Sequence, residues 1–361
     1  MQNHMAFINL IGMLVCVVTS LIYVTEARKR YSMYVWTDGF DRDVAGCDLA
    51  AFSNWDSSGP CFTHVWNTPE KRAWLWNTCN LAGREVDTIY VSDVHHNLRT
   101  AHDNNDCTSS DIAMVKDMLT EGHKKVPNLK IYGLYAVSDL PVSEKDLVKY
   151  IVYYNDNCAS SATERFDGIA TNNEAYTPIK CGDMATRLQY LTDLATIVTE
   201  AQKQVNGVLL THFSISWHWG ICDSTPDMMT WNGKSADANT HMIDIFDSVD
   251  VQVGYITISA IADRMVTAGI QYAQSLNKPI YTTVYTNEAQ PCQITFFPDD
   301  TCHIQAHTED HMFAAFDAFP ANNIDYSNPC IHYFRGVYST GIHPAWPIHN
   351  TPSTGHGQIV G

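Results

Sequence analysis

Short runs rich in Val, Ile, Tyr and Phe recur along the chain and alternate with longer segments whose apolar residues return every three or four positions. The short runs read as strands: 31–37, 87–93, 129–138, 166–171, 208–217, 249–258, 278–286 and 331–339. The longer segments read as amphipathic helices. In 110–126, Ile112, Met114, Val115, Met118 and Leu119 share one face, with Ser110 or Asp111 as the cap. In 183–205, Leu188, Leu191, Leu194, Ala195 and Val198 form one stripe that Asn206-Gly207 stops. Segments 143–154, 258–276 and 308–319 repeat the theme.

Strand followed by helix, eight times in one chain, is the pattern of a parallel sheet closed into a barrel. The expectation is an α/β chain, a single (β/α)8 TIM barrel over 28–349 with a turn-rich, loosely ordered tail at 350–361. An open doubly wound sheet would place a glycine-rich phosphate turn after its first strand. The turn here reads TDGFDRDVAGCDLA, with a single Asp-Gly. No composition break or linker divides the chain, and the long loops 38–67 and 220–239, both carrying Cys and Trp, would shape a cleft at the barrel mouth.

Composition narrows the class. The chain has 361 residues, 45% hydrophobic and 17% charged, enough to bury a large core. Its net charge of −17 opposes contact with phosphate backbones, so nucleic acid is not an expected partner. The apolar run Met5–Val24, followed by Thr25-Glu26-Ala27 and then Arg28, Lys29 and Arg30, reads as a signal peptide over 1–27, cleaved after Ala27. The same run is long enough to span a bilayer, and an uncleaved anchor with that basic flank would keep the chain cytoplasmic. Cysteine parity favours export: setting Cys16 aside leaves ten, with no CxxC pair. A disulfide-stabilised, extracellular protein without stable membrane association is the expectation, although no Asn-x-Ser/Thr sequon is present.

Barrels of this type assemble their sites at the carboxyl ends of the strands. The ends deliver Trp36 and Asp38 from the first strand, Asp93, His95 and His96 from the second, and Ser138 and Asp139 from the third. The fourth gives Asn172, Asn173 and Glu174; the fifth His212, Ser216, Trp217, His218 and Trp219; the sixth Tyr255. The seventh gives Tyr285, Asn287 and Glu288, and the eighth Tyr338, with His343 and Trp346 beyond it. Indoles to stack on sugar rings and two carboxylates on facing strands are what glycoside hydrolysis needs. Glu174 and Glu288 are the candidate catalytic pair. Asn173, Tyr255, Asp38, His95, His212, Trp217, Trp219 and Trp346 are the candidate substrate-binding residues.

Asn-Glu closing strand four and Glu closing strand seven resemble the large clan of retaining (β/α)8 glycoside hydrolases that includes many cellulases, mannanases and β-glucanases. That resemblance implies Glu174 as acid/base, Glu288 as nucleophile, Asn173 bonded to the sugar 2-hydroxyl and Tyr255 as a phenol near the nucleophile. FDGIATNNE also resembles the chitinase-like pattern of glycoside hydrolase family eighteen, Asp-Gly-x-Asp-x-Asp-x-Glu. Asp167, Gly168 and Glu174 fit it, whereas Ala170 and Asn172 replace the two inner acids that orient the acetamide in that family.

Other chemistries remain open at this stage. A lectin-like barrel that binds carbohydrate without cleaving it, or a barrel repurposed as an oxidoreductase, would use the same frame. No cofactor is expected. A catalytic metal is not expected either, because adjacent histidines diverge on a strand and the first strand ends in Trp36-Thr37-Asp38 rather than His-x-His.

Overall fold

The computed structural model describes residues 30–36, 38–40, 62–63, 66–92, 94–136, 138–286, 291–296 and 309–332; of 38–40 and 62–63 it describes the backbone. Eight parallel strands close into a barrel in sequence order. They are β1 (Tyr31–Val35), β2 (Val86–Ser92), β3 (Lys130–Tyr135), β4 (Gly168–Thr171), β5 (Leu210–Ser216), β6 (Ser248–Gln252), β7 (Ile280–Tyr285) and β8 (Asn328–His332). Each lies within or overlaps a run predicted from the sequence. β6 ends six residues before its predicted limit, because Gly254 turns the chain at φ 58°.

Helices fill the crossovers: α1 (Pro69–Cys79), α2 (Val94–Asn104), α3 (Ser110–Lys125), α4 (Glu144–Tyr153), α5 (Met184–Ala201), α6 (Ala238–Ile245), α7 (Ile258–Thr267), α8 (Ile270–Ser275) and α9 (Glu309–Asp317). The predicted helix over 258–276 is two helices, because Gly269 at φ 97° breaks it. α3 is capped one residue earlier than expected, by Ser109, whose Oγ accepts from Ile112 N at 3.3 Å.

The barrel interior is divided by chemistry. Tyr34, Tyr90, Tyr132, Leu134, Ala170 and Cys330 form an apolar cluster drawn from β1 to β4 and β8. β5, β6 and β7 contribute His212, Ser214, Asp250, Gln252 and Thr283, all buried. β4 and β5 approach closely at Gly168: a Cβ there would lie 2.6 Å from the Leu210 carbonyl oxygen and 2.3 Å from the Tyr132 ring. The ring can move but the strand carbonyl cannot. Gly168→Ala is expected to cost about 1–3 kcal/mol in urea unfolding. An unchanged midpoint would show that these two strands tolerate wider separation.

Two disulfides are formed among the described residues. Cys107–Cys158 joins the α2–α3 turn to the π-helical turn Tyr154–Cys158 that extends α4, and Cys181–Cys222 joins the β4–α5 and β5–α6 loops. Cys292 is also disulfide-bonded. Cys79 and Cys330 do not join the framework expected of the ten; both are buried thiols, one on the packed face of α1 and one inside the barrel. The 220–239 loop carries two small ribbons, Ile221–Cys222 with Thr225–Pro226 and Met229–Trp231 with Lys234–Ala236. A buried ion pair from Arg187 on α5 to Asp227 fastens it, with Tyr176 Oη donating to Asp227 at 3.2 Å.

No described helix is long and apolar enough to cross a membrane, and the Met5–Val24 run and the 350–361 tail lie outside the described residues.

Candidate functional site

The loop after β4 sets the site. Asn172, Asn173 and Glu174 follow the strand directly, and the chain turns them to different sides. Asn173 is fully buried among the helices: its Nδ2 donates to Glu144 Oε2 at 2.9 Å, and its Oδ1 accepts from Ala175 N at 2.9 Å. Tyr190 of α5 donates to its carbonyl at 2.7 Å. Asn173 therefore braces the loop. Asn172 turns inward, where its Oδ1 accepts from Gln252 Nε2 of β6 at 2.9 Å.

Gln252 is the hub. Its Nε2 also donates to Ser214 Oγ at 3.0 Å, and its Oε1 accepts from Tyr285 Oη at the end of β7. β4, β5, β6 and β7 are thus tied together at the mouth by side-chain hydrogen bonds, and Glu174 sits against this rim. Its carboxyl is largely buried, and Oε1 has no hydrogen-bond partner and no contact with solvent. Burial raises its pKa from the ordinary 4.5 to about 7, and the Gln252 and Asn172 side chains, which favour the anion, offset only part of that rise. Tyr285 is held as the neutral phenol by burial and by the nearby Glu174 and Asp250 carboxyls.

A raised folded-state pKa has a sign. Between about 4.5 and 7 the folded protein holds a proton that the unfolded chain has released, so stability falls as pH rises through that window. Glu174→Gln removes the titration. At pH 8 the variant should exceed the parent in unfolding free energy by about 1–3 kcal/mol, the ceiling being roughly 1.4 kcal/mol per pKa unit, and the gain should vanish near pH 4. Chemical denaturation at the two pH values measures it, and equal differences at both would contradict the buried position of the carboxyl.

On the far side of the mouth Trp36 follows β1, half-buried. Its indole stacks on Tyr34 at 5.8 Å, and its Nε1 donates to His332 Nε2 of β8 at 2.9 Å. Burial lowers the His332 pKa to about 4, so the ring stays neutral and able to accept this bond. An aromatic face is fixed in orientation with one polar anchor.

The other expected site residues fall as follows. His212 is completely buried within the barrel, with Nε2 2.9 Å from Asp250 Oδ1 and Nδ1 2.9 Å from Ser248 Oγ. Trp219 is 3% exposed, packed on Tyr176 and Phe213, with Nε1 donating to Thr177 Oγ1 at 2.9 Å. Both rings are therefore buried and committed to protein partners. Trp217 and Tyr255 are half-buried beside Arg264 of α7. His95 and His96 stand in the first turn of α2 rather than at a strand end, with rings 4.0 Å apart. The side chain of Asp38, and Glu288 and Trp346 entirely, lie outside the described residues. Among the described residues the one trio with ligand-like spacing is Cys181, Cys222 and Asp223, and its two sulfurs are bonded to each other.

No protein-family model and no curated protein matches the sequence. Solved structures do resemble the fold. A family-eighteen chitinase from Pseudoalteromonas aurantia is 10% identical, with 85% of this chain and 95% of that one covered and a TM-score of 0.41. The spore cortex-lytic enzyme SleL of Bacillus megaterium QM B1551 is 10% identical over 85% of this chain and 71% of its own, at a TM-score of 0.43. A β-glucuronidase of Bacteroides uniformis is 9% identical over 74% of this chain and 28% of its own, at 0.42. What they share with this chain is the barrel.

Proposed function

We propose that this protein is a secreted glycoside hydrolase in which Glu174 is the general acid/base and Glu288 the nucleophile of a retaining, two-carboxylate mechanism. The observation that carries the reading is the Glu174 carboxyl, placed just past the end of β4, largely buried and with its pKa at about 7. A carboxyl that must hand a proton to a glycosidic oxygen near neutral pH has to hold that proton until the substrate arrives, and burial achieves this. Asn172, Gln252 and Tyr285 form a fixed polar rim beside it, and the Trp36 face supplies an apolar platform of the kind that stacks on a pyranose. Tyr255, Trp217, Asp38, His95 and Trp346 are further contacts in this reading. No cofactor or metal enters the mechanism.

Retention requires the Glu288 carboxyl to lie roughly 5–5.5 Å from that of Glu174, whereas inversion requires about 6.5–9.5 Å and a water between them. The disulfides, together with the small residues Thr25 and Ala27 after the Met5–Val24 run, support export with cleavage after Ala27. The test is the purified extracellular protein on a panel of chromogenic glycosides, beside Glu174→Gln and Glu288→Gln. Hydrolysis lost in both variants is expected; hydrolysis retained in both would overturn the paired-acid mechanism.

One observation favours a second reading. Ala170 lies in the apolar cluster and Asn172 is an amide tied to Gln252, so the inward positions of the β4 segment carry no acid of their own. A barrel of this kind could hold a glycan without cleaving it. Glycan affinity would then be unchanged by Glu174→Gln, and no glycoside in the panel would be hydrolysed.

A further inference from the structure

Arg264 projects from α7 to the two aromatic residues that follow β5 and β6. Its guanidinium carbon lies 3.9 Å from the centre of the Trp217 ring and 4.9 Å from that of Tyr255. Nη2 donates to Tyr255 Oη at 3.2 Å. Asn239 fixes the other side of the arrangement, donating from Nδ2 to the Trp217 carbonyl at 3.2 Å. Trp217 comes directly after the last residue of β5, and Tyr255 comes three residues after Gln252, the hub of the mouth. The cation is therefore placed against the segments that follow β5 and β6, over both rings and bonded to one of them.

Its hydrogen bonds are unequally used. Among the described residues Nε is sealed from solvent without a partner, Nη2 commits one proton to Tyr255, and Nη1 has no partner. No carboxylate of the described residues pairs with this guanidinium, in a chain with 39 acidic residues and only 22 basic ones. Arg72, Arg84 and Arg187 each hold an aspartate or glutamate, whereas Arg165, half-buried like Arg264, pairs with no carboxylate of the described residues either. What remains open on Arg264 is Nη1 and the second N–H of Nη2, donors on two adjacent nitrogens of the kind that meet the two oxygens of a planar carboxylate as a fork.

We propose that Arg264 is a specificity residue of the cleft and that it receives the carboxylate of an acidic sugar, so that the natural ligand is a glycan containing uronic acid. The inference rests on the glycan-binding reading of the mouth and adds the substrate class. The ring faces of Trp217 and Tyr255 that Arg264 covers are occupied by the guanidinium, which leaves their edges and outer faces to the sugar. Because the protein is strongly acidic overall, its long-range field repels an anionic polymer. Recognition must come from the local fork, and the preference for acid over neutral sugar should persist at about 150 mM salt, where distant charges are screened.

The test is calorimetric binding of the full extracellular chain to oligomers of galacturonic, guluronic and glucuronic acid, each beside its carboxyl-reduced neutral counterpart, and to a sulfated oligomer whose carboxyls are reduced. At least one uronate series should bind about tenfold or more tighter than its neutral partner, the scale of a charge-assisted bidentate contact. In Arg264→Gln that ratio should collapse to near unity, and in Arg264→Lys, which keeps the charge but not the fork, it should be largely lost. Melting curves of both variants show that they fold. If Arg264 only braces Trp217, the variants will melt lower while the acid-to-neutral ratio stays unchanged, and the proposal is overturned. Equal binding of the sulfated, carboxyl-reduced oligomer would also overturn it. Neutral oligomers bound with no acid preference would remove the inference and leave the glycan reading standing; no binding to any oligomer would remove both.

Discussion

Glu174→Gln is expected to lower kcat by about 10²–10⁴ on glycosides with alkyl or sugar leaving groups, the range of a single general acid–base contribution. The loss should be much smaller on aryl glycosides whose phenolate departs without a proton. This contrast separates an acid from a residue that merely shapes the cleft, since a shape defect penalises both substrates alike. The pH profile carries a second signature. In the parent, the protonated carboxyl is the competent form, so activity should fall as pH rises through about 7, and the residual activity of Glu174→Gln should be level across that limb. A variant that retains more than about a tenth of the parent rate on a sugar leaving group would exclude Glu174 as the acid. The outcome also bears on stability. The same substitution that disables the chemistry should strengthen the fold at pH 8, because a buried carboxylate without full hydrogen bonding is a cost that only function explains.

The barrel was legible in the sequence because each strand is a short β-branched or aromatic run separated from the next by a helical period, and closure at eight follows from counting them. Glu174 was legible for the same reason, as the first acid after the fourth run. The divided interior was written more faintly. In SVDVQVG, polar Asp250 and Gln252 alternate with Val249, Val251 and Val253, and in THFSIS, His212 and Ser214 alternate with Phe213 and Ile215. In a parallel barrel strand one set of alternate residues faces the interior, so a polar set two apart is the signal for a buried network. That signal would have found Gln252, and it would have placed His212 inside the barrel. Asn172 and Asn173 could not be ranked from sequence, because which amide turns inward depends on the Glu144 and Tyr190 contacts that capture Asn173 from distant helices. Trp219 was opaque for a similar reason: its burial depends on Tyr176, 43 residues away in the chain and adjacent in space. α1 was not legible because PEKRAWLWNTC mixes polar and apolar residues without a clean stripe, so its helicity comes from packing on the barrel, whereas α2 carries a narrow stripe of Val94, Leu98 and Ala101 that could have revealed it.

Asp250→Asn should be the most destabilising conservative change in the barrel, at about 3–5 kcal/mol. The Asp250 side chain is fully buried and receives four hydrogen bonds. Tyr34 Oη and His212 Nε2 donate to Oδ1, at 2.6 and 2.9 Å, and Ser214 Oγ, at 3.1 Å, and Thr283 Oγ1 donate to Oδ2. An amide puts an NH2 group where one of these oxygens stood: at the Oδ1 position it leaves the Tyr34 and His212 donors facing a donor, and at the Oδ2 position it forces the Ser214 and Thr283 hydroxyls to reverse from donor to acceptor in a fully buried site. A surface pair gives the contrast. Asp103, more than half exposed beside His102, should cost under about 1 kcal/mol when changed to Asn. Equilibrium urea unfolding of both variants measures the difference, and a cost below about 1 kcal/mol for Asp250→Asn would mean the cluster does not depend on a carboxylate. The effect should reach the site as well, because Ser214 donates to Asp250 and accepts from Gln252, which in turn holds Asn172 beside Glu174. With Asp250 neutralised, Ser214 is released to rotate and Gln252 loses a fixed acceptor. Asp250→Asn is therefore expected to move the alkaline limb of the activity profile set by Glu174, which a substitution acting on stability alone, such as Gly168→Ala, should leave in place.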